Sequence, residues 1–126
     1  MHKIFLLAGS LFAGLGVMIG AFGAHALKVT LERTQRLETF ETAVKYQFYH
    51  AIALLALGLL LFHIQHRLLQ FAGYSFIGGI IVFSGSLYIL SLTGLKWLGA
   101  ITPIGGLLFI AGWLFLFIAV LNQVRG

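Results

Sequence analysis

The chain has 126 residues, 60% of them apolar and 9% charged, with a formal net charge of +5. A water-soluble domain carries roughly a quarter of its residues charged, so this composition excludes one and describes a single domain solvated by lipid. The absence of cysteine excludes disulfides, thiol catalysis and cysteine-held metals.

The eight Lys and Arg residues lie between apolar runs, not in one cluster. Membrane proteins use basic residues in this way to set orientation, and the pattern argues against nucleic acid.

Lys3 precedes an uncharged run over residues 4–24, about the 20 residues that cross the hydrocarbon as a helix. A basic start followed by Ala24, His25 and Ala26 also imitates a secretory signal with a small-residue cleavage site. We read the run as the first transmembrane helix. Its small residues Gly9, Ala13, Gly16, Gly20 and Ala24 recur every three or four positions and share one face. Gly16 and Gly20 form a GxxxG, which lets helix backbones approach closely in lipid. Close packing inside the monomer and a homo-oligomer contact both fit it.

Residues 28–45 are the one long polar stretch. Thr30 can cap a helix with Glu32 in its first turn. Glu32 with Arg36, and Glu41 with Lys45, are i,i+4 pairs with the acid first. Leu37, Phe40, Val44 and Phe48 make an apolar stripe. The expectation is an amphipathic segment, 30–45, leading into a second span, 46–62.

Tyr46 and Tyr49 fit an interfacial belt, and His63 to Arg67 a short polar turn. A third span over 71–94 carries small and hydroxylic positions at Gly78, Gly79, Ser84, Gly85 and Ser86. Lys96 and Trp97 mark the next interface. In the fourth span, 102–122, Thr102 is an expected N-cap, Pro103 suits the first helical position, and Gly105 and Gly106 admit a neighbouring helix. Trp113 lies deep and faces a neighbour.

Together these predict an all-α, polytopic membrane protein: one domain, 1–126, folded as a four-transmembrane-helix up-down bundle. Gly16, Gly20, Gly85, Gly105 and Gly106 are its candidate helix-packing residues. Lys3, Arg67 and Arg125 fall on the terminal side; Lys28, Arg33, Arg36, Lys45 and Lys96 fall on the other. Positive-inside counting therefore favours a cytoplasmic amphipathic segment and both termini outside.

For chemistry, the pair to weigh is His25, ending the first span, and His50, one turn into the second. Both lie towards the same membrane face, and ionisable groups set into a membrane raise a functional suspicion. Three readings compete. The histidines are structural; or His25, Tyr46, Gln47, Tyr49 and His50 build a pocket for a small lipophilic ligand such as a quinone or lipid; or the two histidines ligate haem. No Asp, Glu, Lys or Arg occupies the middle of a span, which argues against an ion-coupled pump. Serine-nucleophile, HExxH and phosphate-loop motifs are missing as well. The expectation is no enzyme, cofactor or metal, with the lipid bilayer as the main partner and a homo-oligomer or larger membrane complex as the further one.

Four motifs add a resemblance: residues 20–28 (GAFGAHALK), 40–50 (FETAVKYQFYH), 83–88 (FSGSLY), and 102–106 (TPIGG) followed by Gly112 and Trp113. In order and over nearly the whole chain, they resemble the YgdD-like family, small bacterial inner-membrane proteins with a mitochondrial counterpart in animals. The resemblance implies a four-helix protein of the bacterial cytoplasmic membrane. It implies no activity and hands over no functional residues.

Overall fold

The computed structural model describes residues 2–126, except for the side chains of His2 and Ala24. Helix α1 (His2–Met18) runs on through a π turn, Ile19–Gly23. Two short helices follow, α2 (Ala24–Ala26) and α3 (Lys28–Thr34). Helix α4 (Leu37–Leu60) is the second span. The third is α5 (Arg67–Gly79), a second π turn (Ile80–Ser84) and α6 (Gly85–Thr93) in one rod. A 3-10 turn (Lys96–Ala100) leads into α7 (Thr102–Arg125). Four of these rods are long and apolar enough to cross a bilayer: Lys3–Gly23, Leu37–Leu60, Arg67–Thr93 and Lys96–Arg125. They form an all-helical membrane bundle.

The spans are not equivalent. In their most apolar windows, 44% of the residues of the second and third spans are buried, against 17% of the first and 22% of the fourth. The second and third therefore make the centre. Helix α1 lies along α4, and α7 lies along α5 and the second π turn. The core holds Phe5, Leu54, Leu57, Leu61, Leu69, Phe76 and Phe109.

The second span corrects the sequence expectation. Its helix begins at Leu37, not at 46, so the 30–45 segment is two pieces. They separate at Gln35, which caps α3 in the left-handed region at φ 56°. Nothing beyond that point breaks a helix, so Glu38, Glu41 and Lys45 ride on the same rod as the apolar run. The break also puts Glu32 and Arg36 on either side of it. No ion pair forms at either expected position among the described residues. Thr30 lies inside α3 and caps nothing; α3 has no side-chain cap.

The expected stripe of Leu37, Phe40, Val44 and Phe48 is likewise not the buried face. Leu37 and Phe48 are exposed. The buried line on α4 is Phe40, Ala43, Gln47, His50, Leu54 and Leu57. In lipid, a neighbouring helix is no more apolar than an acyl chain, so small and hydrogen-bonding residues face the neighbours and large apolar ones face out.

Two of the close approaches between spans run through glycine. A Cβ on Gly105 would land on the backbone N and Cα of Phe83, and one on Gly73 on the Phe5 ring. The first brings α7 against the third span, the second brings α1 against α5.

Candidate functional site

The inward line of α4 carries two polar side chains one turn apart, Gln47 and His50, both buried. The Gln47 side-chain N–H donates to the carbonyl of Phe12 in α1 at 2.8 Å. Its Oε1 accepts from the Tyr88 hydroxyl of α6 at 2.6 Å. One amide thus ties three spans together.

His50 ties in the fourth. Its Nδ1 lies 2.8 Å from the Tyr46 carbonyl, and the Trp113 indole N–H donates to its Nε2 at 2.9 Å. A carbonyl only accepts and an indole only donates. The two bonds together select the neutral imidazole with its proton on Nδ1. The ring also lies flat on Phe109, with centroids 3.6 Å apart and planes within 9°.

Hydroxyls extend the hub. Ser84 donates to the Ala43 carbonyl at 2.8 Å, and Thr34 to the Ser91 carbonyl at 2.8 Å. Ser86 and Thr102 join the third and fourth spans at 2.6 Å. Thr102, expected as a cap, is the first residue of α7, and Ile101 takes the cap position. Among the described residues no buried side-chain nitrogen or oxygen lacks a partner.

His50 lies near the middle of the 24-residue α4 and faces Trp113 near the middle of the 24-residue α7. His25 is exposed on α2, a helix that touches the first π turn and α3. The structure does not bring the two histidines together. Tyr46 stacks on Phe83 at 4.7 Å, and Tyr49 is exposed beside it. Cavities open at 56–63, between Gly20 and α4, and at 71–75 against Leu108 and Phe115.

Of the candidate packing glycines, Gly105 makes the close approach already described. A Cβ on Gly20 would lie 3.0 Å from Val44, and one on Gly16 would make ordinary contact with Phe48 at 3.5 Å. The GxxxG face of α1 thus rests on α4 within the monomer. A Cβ on Gly106 would make ordinary contact with Phe83 at 3.9 Å, whereas Gly85 has open space where its Cβ would be. Substituting Gly85 by alanine should leave stability within about 0.5 kcal/mol, read as an unchanged unfolding midpoint in mixed micelles.

Sequence reasoning marked Ser84 as a hydroxylic position but passed over Tyr88 and Phe109 as hub members. A usable signal existed for Tyr88, a polar residue deep inside an uncharged span. Interhelical hydrogen bonds in lipid average about 0.6 kcal/mol and reach about 1.7. Since Gln47 makes two of them, Gln47→Leu should lower stability by about 1 kcal/mol, measured by reversible unfolding in bicelles.

A family model described as a protein of unknown function (DUF423) matches residues 19–106, most of the chain. The chain belongs to the DUF423 family. The match runs from the first π turn to Gly106 and includes Gln47, His50 and Tyr88. Relatives match at full length and are called UPF0382 membrane proteins. The one from Staphylococcus haemolyticus is 45% identical over 122 residues, 97% of this chain and 98% of that protein. YwdK of Bacillus subtilis is 40% identical over 123 residues, 97% and 99% of the two chains. A Staphylococcus aureus USA300 relative is 49% identical over 117 residues, 93% and 94%. No solved structure matches. This DUF423 chain is a small membrane protein with four rods long and apolar enough to cross a bilayer.

Proposed function

We propose that this DUF423 protein is a non-enzymatic accessory protein of the bacterial cytoplasmic membrane. In this reading it acts by association, with a second copy or within a larger membrane complex. One observation carries it: among the described residues the buried polar side chains all bond within the bundle, which leaves the outer faces as the surface free to act. On α7 that face is Leu107, Ile110, Leu114, Phe117 and Leu121, all exposed. Their steps alternate three and four, the spacing of a left-handed helix pair. The YgdD-like resemblance and the bacterial relatives support the location.

The ligand-pocket and haem readings draw no support from the geometry, because both His50 nitrogens are bonded inside the bundle and His25 lies apart.

Cross-linking in native membranes, followed by purification in gentle detergent, tests the proposal. A complex larger than the monomer is expected, and Leu114→Arg should dissolve it. A bare monomer at native expression, with nothing cross-linked to it, overturns the reading. Orientation has its own test. Five basic residues against three predict that reporters fused at the C-terminus report the outside; a cytoplasmic signal reverses the assignment.

A further inference from the structure

Beside the first π turn lies a cavity of about 330 Å³, lined by Gly20, Phe40, Glu41, Val44 and Lys45. Its inner wall is apolar, with Phe40 buried and Val44 half-buried. Its rim carries a carboxylate and an ammonium group one turn apart on α4, both exposed. No ion pair joins Glu41 to Lys45, so each charge stands open to a ligand. Glycine keeps the space open: a Cβ on Gly20 would lie 3.0 Å from Val44. The adjoining backbone is the π turn Ile19–Gly23, a rare geometry that recurs at functional sites. Lys45 is the last charge before the apolar stretch 46–62. The cavity mouth therefore sits where headgroups meet hydrocarbon.

We propose that this cavity is a site for one phospholipid whose headgroup carries both a phosphate and a primary ammonium. Lys45 donates to the phosphate, Glu41 accepts from the ammonium, and the methylenes that join the two lie against Phe40 and Val44, at the same depth on α4. The paired charges set the selectivity. A headgroup with phosphate but no amine meets Glu41 as a like charge. A choline headgroup has no N–H to give it, and charge-assisted hydrogen bonds are the strong ones. This site is independent of any association through α7.

The test is native mass spectrometry of the delipidated full-length chain, titrated with phosphatidylethanolamine, phosphatidylcholine and phosphatidylglycerol of identical acyl chains. One ethanolamine lipid should bind about tenfold tighter than the choline lipid, the difference one charge-assisted hydrogen bond makes. Glu41→Gln should erase that preference, and Lys45→Met should weaken all three lipids. Gly20→Leu should fill the cavity and abolish binding. Because it can also unseat α1, the exposed Glu41→Gln decides. Equal affinity for the three lipids, tightest binding of the glycerol lipid, or an ethanolamine preference that survives Glu41→Gln overturns the proposal.

Discussion

His50→Ala is expected to destabilise the bundle by about 3 kcal/mol, within the range for emptying a large buried site and orphaning a polar partner. Three losses coincide. The Trp113 N–H loses its acceptor, Phe109 loses the ring stacked 3.6 Å away, and a void opens where lipid cannot follow. The transfer part is smaller than in water, since lipid is as apolar as the core, so packing and the orphaned donor dominate. The pair can be separated by a cycle. Trp113→Phe alone leaves Nε2 without a donor and should cost about 1 kcal/mol. His50→Ala combined with Trp113→Phe removes both ends of the bond and should cost less than the sum of the two singles. Reversible unfolding in mixed micelles measures all four proteins. Strict additivity would show that the bond contributes nothing to stability.

Gly105→Leu is the second large effect, expected near 3 kcal/mol, the upper end of what overpacking does. The new Cβ would fall on the backbone N and Cα of Phe83, and backbone cannot rotate out of the way as a side chain can. Helix α7 must therefore back away from the third span. One turn on, Phe109 leaves the His50 ring; two turns on, Trp113 leaves Nε2. A local clash so becomes loss of the hub. Gly85→Leu is the matched control, because nothing lies within 4 Å of its Cβ position. Folded yield in membranes and the unfolding midpoint should collapse for the first variant and hold for the second.

The four spans were legible because hydropathy reports what lipid solvates, and long uncharged runs leave little choice. The start of the second was not. Glu38, Glu41 and Lys45 end the apolar run without ending the helix, and the break at Gln35 is left-handed at a residue that carries no such signal. Glycine or asparagine there would have announced it. The candidate site was half legible. Gln47 and His50 stood out as polar residues near an apolar run, but their partners Phe12, Tyr88 and Trp113 are 35, 41 and 63 residues away. One corrective was in view. Gln47 and His50 share the line of Ala43, Leu54 and Leu57, and in a bilayer the line bearing amide and imidazole turns inward. Seeking the apolar stripe instead applies the logic of water-soluble helices to a helix in lipid. His25, by contrast, has no partner that spacing could bring to it from another span, and the structure leaves it exposed on α2.

The account turns on a neutral imidazole held inside the bundle between a carbonyl and an indole. Solid-state NMR of nitrogen-15-labelled protein in lipid bilayers at neutral pH reads both ring nitrogens of His50 directly. The proton is expected on Nδ1, with Nε2 bare and coupled through a hydrogen bond to the Trp113 indole. A proton on Nε2, or an indole signal with no bonded partner, would contradict it.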